Sequence, residues 1–161
     1  MIRKATPQDA VQIVKIYNHY VETSLVTFEE DLVSEQDFKK RIEEILAQYP
    51  YLVYELDGKI VGYAYAGIFR TRVAYRYSSE SSVYVHKDYF KKGIASALYK
   101  VLLEEMKAMG LKSAIGGITL PNEGSVILHE KFGFKKVAHF ERVGFKFEQW
   151  LDVGFWQLMF D

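Results

Sequence analysis

Residues 82–92 of this 161-residue chain read SVYVHKDYFKK, and the next residue, Gly93, opens an apolar pattern of helical spacing at Ile94, Leu98, Val101, Leu102 and Met106. A short β-branched and aromatic run therefore passes through Lys91 and Lys92 into a helix. The first turn of a helix carries unpaired N–H groups and the positive end of the dipole, and a glycine there lets the backbone approach an anion closely, so this turn can hold a phosphate. The same residues also suit an ordinary strand-to-helix turn with solvated lysines. The spacing matches neither GxxxxGK[ST] nor GxGxxG, which argues against a nucleotide hydrolase or a dinucleotide enzyme and calls for a different phosphate ligand.

Two other stretches hold groups capable of chemistry. RTRVAYRYSSES (70–81) sets three arginines and two tyrosines among hydroxyl residues, with Glu80 near its end, and is too polar for core. PNEGSVILHEKFGF (121–134) carries Asn122, Ser125 and His129. With no cysteine in the chain, a disulfide framework, a thiolate nucleophile and a Cys-ligated metal are all excluded.

The elements that must position these groups are legible from periodicity. Ile2 to Ala5 is a short strand; Thr6 as N-cap, Pro7 at the first helical position and Asp9 in the first turn then start a helix to about Tyr20. Beyond the turn-like ETSLVTFEED, Ser34 caps a second helix whose apolar stripe is Phe38, Ile42, Ile45, Leu46 and Tyr49. YLVYEL and KIVGYAYAGIF are strands joined by Asp57-Gly58, a strong two-residue hairpin signal. After the polar insertion SVYV resumes as a strand, and a helix follows from Gly93 to Met109 that Gly110 can terminate. SAIGGITL is a strand, Asn122 to Phe132 a short helix ended by Gly133, and about Phe134–Phe147 and Trp150–Phe160 two antiparallel strands. The sum is one α/β domain over residues 1–161, a mixed sheet with helices on both faces.

Composition narrows the function classes. Lys plus Arg number 21 and so do Asp plus Glu, so no global field draws the chain to nucleic acid or an anionic membrane. At 49% hydrophobic with three prolines it is a packed globular chain. MIRKATPQDA has no apolar signal core, and no apolar run approaches the about 20 residues of a membrane helix, which predicts a cytoplasmic protein.

These residues resemble the GNAT superfamily of acetyl-CoA-dependent N-acetyltransferases, over nearly the whole chain. The family's core motif (Gln or Arg, two residues, Gly, one residue, Gly or Ala) falls on Phe90 to Ala95, with Phe90 departing from it. PNEGSVILHEKFGF is similar to the family's Asn-containing loop and following helix. VTFEE (26–30), AYRYSSESSVYV (74–85) and VGFKFEQWLDVGFWQ (143–157) are each similar to signatures of the phosphinothricin and methionine sulfoximine acetyltransferase branch.

What the resemblance implies is a mostly antiparallel sheet whose central strand pair splays at the cofactor site, a homodimer, and no metal. Acetyl-CoA would lie with its pyrophosphate on Lys91, Lys92, Gly93, Ile94, Ala95 and Ser96, and its pantetheine arm along Val83, Tyr84 and Val85, flanked by Asn122 and Ser125. The acetyl group would pass to the α-amine of a small amino-acid-like substrate. Glu80 matches the branch's proposed base; taken alone it also suits a solvated or ion-paired carboxylate. A backbone N–H near Val85 can face the oxyanion. His129 stands where many members place a tyrosine acid, so the ring, a water, or neither protonates the leaving thiolate. Arg72 and Arg76 suit a carboxylate or phosphinate, with Tyr75, Phe28 and Glu29 shaping the pocket, though the same residues fit a solvated strand edge. Trp150, Asp152 and Trp156 read as sheet packing or a dimer surface, and His139 has no assigned role. Other readings are an enzyme for a peptide N-terminus or a polyamine, and a non-catalytic acetyl-CoA-binding module.

Overall fold

Asp57 and Gly58 both adopt left-handed backbone angles, φ 49° and 76°, the pattern of the two-residue turn whose twist matches the strands it joins. They close the hairpin of β2 (Tyr51–Leu56) and β3 (Lys59–Ile68) in a computed structural model that describes residues 1–161. The other strands are β1 (Ile2–Lys4), β4 (Ser78–Val85), β5 (Ser113–Leu120), β6 (Lys135–Lys146) and β7 (Gln149–Met159). The helices are α1 (Ala10–Thr23), α2 (Glu35–Leu46), α3 (Ile94–Ala108) and α4 (Glu123–Lys131), and none is long and apolar enough to cross a membrane. All seven strands form one sheet in the order β1-β2-β3-β4-β5-β7-β6, antiparallel except where β4 meets β5.

Local chemistry sets the helix starts. Ser34 Oγ accepts the Asp37 N–H at 3.1 Å and so caps α2. At the first helix the Asp9 carboxylate accepts the Thr6 N–H at 2.7 Å, but the turn it closes, Pro7–Asp9, is 3₁₀ and the α-helix begins at Ala10 and runs on to Thr23. Alternation of side chains through the sheet feeds two cores. On one face Leu98, Leu102 and Met106 of α3 pack fully buried on Ala64, Ala114 and Trp156; on the other Ile13 of α1 and Ile42 of α2 cover Tyr51, Val53 and Tyr63. Truncating one of these leucines to alanine costs ~2–5 kcal/mol in transfer and cavity terms.

Three expectations need correction. Tyr49 is not part of the α2 stripe: the helix ends at Leu46, and Tyr49 packs on the α3-side core. The segment called too polar for core is partly core, because β4 starts at Ser78 and buries Ser79 and Ser81 completely or nearly so. Ser79 is tolerated there because its Oγ donates to the Gly67 carbonyl at 2.7 Å. Glu80 is therefore inside a strand and not ahead of one. The reading of the tryptophans needs no correction, with Trp156 in the core and Trp150 exposed.

The feature that positions the site is a break in pairing. β4 and β5 are hydrogen-bonded only through Ser78–Glu80 against Ser113–Ile115, yet β4 runs on to Val85 and β5 to Leu120. Beyond Glu80 the two strands diverge and leave backbone groups without a strand partner.

Candidate active site

The splay opens a cleft of about 670 Å³ that reaches the N-terminus of α3 and is bounded by α4. Lys91 and Gly93 take left-handed angles, φ 59° and 78°, and so curl the chain into α3, whose first hydrogen bond is Ala97 N–H to Gly93 O at 3.0 Å. The N–H groups of Ile94, Ala95 and Ser96 precede that bond and have no intrahelical acceptor, in line with the dipole of a 15-residue helix. Lys131, from the last turn of α4, donates its Nζ to Ser96 Oγ at 3.1 Å and adds a second cation to the Lys91 end of the cleft. Every residue expected on the coenzyme side lines this cleft except Lys92, whose ammonium lies 5.0 Å from the Tyr89 ring. Phe90 is half exposed at the mouth and rests against the Tyr20 ring, centroids 6.5 Å apart, so an apolar wall replaces a polar side chain there.

The β4 edge has a defined polarity. His86 N–H donates to Val61 O at 2.8 Å, so Tyr84 and His86 direct their backbone groups at β3, while Val83 and Val85 direct theirs into the splay. The Val85 carbonyl is already taken by the Tyr20 hydroxyl. Free in the cleft are Val83 N–H, Val83 C=O and Val85 N–H.

Two consecutive glycines of β5 leave room on the two faces of the sheet. At Gly116 an added Cβ would lie 2.5 Å from His129 Nε2; at Gly117 it would lie 3.8 Å from Glu80 Oε1. Glu80 and His129 therefore flank the splay from opposite sides. Glu80 is largely buried without a charged partner, and desolvation raises its pKa above the usual 4.5. A carboxylate held this way is a stronger base than a solvated one.

His129 is not the free donor that its position in the motif suggests. It is buried, its Nδ1 lies 2.7 Å from the Ser125 carbonyl, and that oxygen can only accept, so Nδ1 carries the proton. Nε2 is then the acceptor for the Tyr99 hydroxyl at 3.0 Å, and Tyr99 in turn accepts from Ser81 Oγ at 3.2 Å. Burial lowers the His129 pKa below 6.5, which keeps the ring neutral at pH 7. The oriented chain Ser81–Tyr99–His129 ends on the cleft wall, since Ser81, Tyr99 and His129 all line it.

The acceptor-side residues are placed less uniformly. Glu29 accepts the Tyr17 hydroxyl at 2.6 Å and Arg41 Nη2 at 3.0 Å, which lowers its pKa and leaves it no free acid, and neither it nor Phe28 lines the cleft. Phe28 lies over Gly144, where an added Cβ would meet its Cζ at 2.5 Å. Arg72, Tyr75 and Arg76 are on an exposed turn joining β3 to β4 and do not line the cleft; Arg76 Nη1 donates to Val73 O at 3.1 Å, and the Tyr75 hydroxyl accepts from Arg70 Nη1 at 3.2 Å. The turn leads directly into the Glu80 end of β4, since Ile68 pairs with Ser79. His139 bridges Lys136 (3.0 Å) and Asp152 (2.8 Å) on the outer hairpin, away from the cleft.

Sequence reading missed Tyr99, Ser81, Tyr20, Lys131 and the paired use of Gly116 and Gly117. Only the glycine pair left a signal: two glycines in the middle of a β-rich run mark a close approach.

Residues 2–154 match the profile of the acetyltransferase (GNAT) domain. The chain is 41% identical to a phosphinothricin N-acetyltransferase of Streptomyces viridochromogenes, covering 99% of this chain and 87% of that one. It is 36% identical to an L-methionine sulfoximine/L-methionine sulfone acetyltransferase of Salmonella typhimurium, covering 99% and 94%. Its fold superposes with a TM-score of 0.96 on the crystal structure of a phosphinothricin acetyltransferase from Sinorhizobium meliloti in complex with acetyl-CoA, at 34% identity, over 99% of this chain and 88% of that one.

Proposed function

This chain belongs to the GNAT acetyltransferases and is an acetyl-CoA-dependent N-acetyltransferase, and from that premise we propose that it acetylates the α-amine of a small amino-acid-like substrate of the methionine sulfoximine, methionine sulfone or phosphinothricin type. One observation carries the reading: a cleft that leads from an anion-binding helix start to the break in β4–β5 pairing, with an unpaired, largely buried Glu80 beside that break.

The roles follow from geometry. The helix start, with Lys91 and Lys131, holds the diphosphate, and Val85, the free edge residue of β4 nearest that turn, donates its N–H to an amide of the pantetheine arm. Glu80 accepts the proton of the attacking ammonium, directly or through one water. Val83 N–H, the free donor nearer Glu80 and Ser81, donates to the thioester oxygen as it gains charge, two residues from the Val85 position first expected. Tyr99 turns its proton from His129 Nε2 to the leaving sulfur; His129 acts by orienting that hydroxyl, which revises the role first given to it. Arg72 and Arg76 attract the substrate's anionic end, with Tyr75, Phe28 and Glu29 as walls.

Residues 1–161 act as one domain in this reading, and the enzyme is a cytoplasmic homodimer. Support for pairing comes from exposed Val143, Phe145, Phe147 and Trp150, which stand together at the β6–β7 hairpin. The decisive assay follows thiol release from acetyl-CoA across an amine panel. Turnover with methionine sulfoximine, methionine sulfone or phosphinothricin is expected. Turnover only with a peptide N-terminus or a polyamine, or tight acetyl-CoA binding with no turnover, would refute the substrate assignment.

A further inference from the structure

Lys146, the last residue of β6, is 1% exposed and pairs with no carboxylate; Glu29 and Glu30 act on it only at a distance. Its Nζ donates instead to two backbone oxygens of the loop between α1 and α2, Ser24 O at 2.8 Å and Thr27 O at 2.9 Å. An ammonium taken out of water needs its N–H groups met, and a buried carbonyl needs a donor, so each partner fixes the other. Thr27 is tied on its other side as well, its Oγ1 lying 2.8 Å from the Tyr17 hydroxyl of α1. The residues on either side of this anchored threonine are apolar and exposed: Val26 lines the cleft, and Phe28 lies over Gly144. Register shows which face of the sheet the loop covers. A Cβ at Gly117 would meet both its β7 partner Phe155 and Glu80, so Phe155 shares the Glu80 face. By alternation Leu151 of β7 shares it, and so do Gly144, which pairs with Leu151, and Lys146 two residues on.

We propose that Lys146 is a positioning residue for the amine substrate: its buried ammonium gathers the Ser24 and Thr27 carbonyls and so folds residues 24–28 into a fixed apolar wall on the Glu80 face of the splay. The inference rests on the acetyltransferase reading above and adds to it the device that shapes the acceptor side. An amine that gives its proton to Glu80 must approach from the face that Glu80 occupies, and the loop held by Lys146 is the segment drawn over that face beside β6 and β7. The phosphate turn lies elsewhere, at the start of α3, and the Ser81–Tyr99–His129 chain on the opposite face. Without the cation the two carbonyls have no donor in common, and they regain hydrogen bonds only by turning toward water, which carries Val26 and Phe28 away from the sheet. Lys146 therefore acts on the amine through Val26 and Phe28, with no contact of its own to either substrate.

The first test is Lys146→Met, which keeps most of the stem and removes the charge. Well below its Tm, the KM for methionine sulfoximine is expected to rise by about tenfold or more, with the Kd for acetyl-CoA within about twofold of the parent. A second variant asks whether the ammonium itself is responsible. The chain has no cysteine, so Lys146→Cys offers one thiol, which can be alkylated in urea with 2-bromoethylamine or with 1-iodopropane before refolding. The aminoethyl adduct restores an ammonium at nearly the length of lysine and should return the amine KM to within about threefold of the parent. The propyl adduct, of similar length and neutral, should behave as Lys146→Met does. Equal amine KM values for the two adducts, or a loss of acetyl-CoA affinity as large as the rise in amine KM, overturns the proposal. So does failure of every neutral form to fold, since Lys146 would then be a structural tether only. A parent protein that binds acetyl-CoA but turns over no amine would instead refute the substrate reading beneath the proposal.

Discussion

Gly116→Ala probes the part of the site that the sequence hid. A Cβ at residue 116 would stand 2.5 Å from His129 Nε2 and 2.7 Å from His129 Cδ2. Ordinary carbon contacts lie near ~3.5–4 Å, so the ring must retreat by about 1 Å. It has little room to do so: His129 is 4% exposed, its Nδ1 is held 2.7 Å from Ser125 O, and the Phe134 ring lies 5.0 Å away edge-on. A shift of that size breaks the 3.0 Å contact with the Tyr99 hydroxyl. Overpacking of this kind costs ~1–3 kcal/mol and a buried hydrogen bond left unmade a further ~1–3 kcal/mol. At about 2–4 °C per kcal/mol for a domain this size, Tm should fall by roughly 4–24 °C. Below that temperature kcat should drop by about tenfold or more, because the Tyr99 proton is no longer oriented. Gly117→Ala is the control on the same strand: its Cβ would meet Phe155 Cε1 at 3.2 Å and Glu80 Oε1 at 3.8 Å, so it should leave the His129 ring signals in place. Calorimetry, steady-state rates and histidine NMR of both variants are the assays. A Gly116→Ala protein with parental Tm and parental His129 shifts would refute the packing of that ring against β5 and the hydrogen-bonded chain built on it.

Glu80→Gln should remove the acid limb of the kcat/KM profile, which in the parent falls as pH drops through a Glu80 pKa raised above 4.5; an unaltered acid limb would release Glu80 from the role of base. The same variant should be more stable at pH 7. The folded state holds that proton more tightly than the unfolded chain, so stability is lost as pH rises from 4.5 through the raised value, and glutamine avoids the loss; a lower Tm at pH 7 would contradict this. Lys131→Gln should weaken acetyl-CoA binding by about tenfold and flatten its salt dependence, with acetyl-pantetheine turnover unaffected, because Lys131 stands on Ser96 at the phosphate turn; equal loss with both donors would place Lys131 elsewhere. Ser34→Ala should cost ~1 kcal/mol in urea unfolding with rates unchanged, since its Oγ caps α2 far from the cleft.

What the sequence disclosed depended on whether a function needed local or non-local information. The Lys91–Ser96 turn, the Asp57-Gly58 hairpin and the Ser34 cap are encoded within a few residues, and the structure has them where spacing put them. Strand order could not be read that way, because β7 inserts between β5 and β6 and nothing within either strand says so. The burial of Ser79 and Ser81 went unread for the same reason: each is satisfied by a partner far along the chain, Gly67 O and the Tyr99 hydroxyl. The family motif likewise marked position 129 but not the state of its ring. That state is fixed by the Ser125 carbonyl one helical turn back and by a tyrosine on another helix.

The geometry also explains why the base and the thiol-side donor need not interfere. A proton leaves the amine and a proton reaches the sulfur in the same reaction, and a base adjacent to the donor would short-circuit the two. β4 prevents this by alternation: Glu80 and Ser82 project to the α1–α2 face, Ser81 to the α3 face, where Tyr99 and His129 meet it. β5 repeats the division one residue at a time, Gly117 opening toward Glu80 and Gly116 toward His129. The sheet itself is then the insulator, and its only opening is the splay beyond Glu80, through which the reacting carbonyl alone must be reached from both sides. A side chain at either glycine closes one route and leaves the other, which is why two neighbouring substitutions on one strand should yield separable kinetic and titration phenotypes.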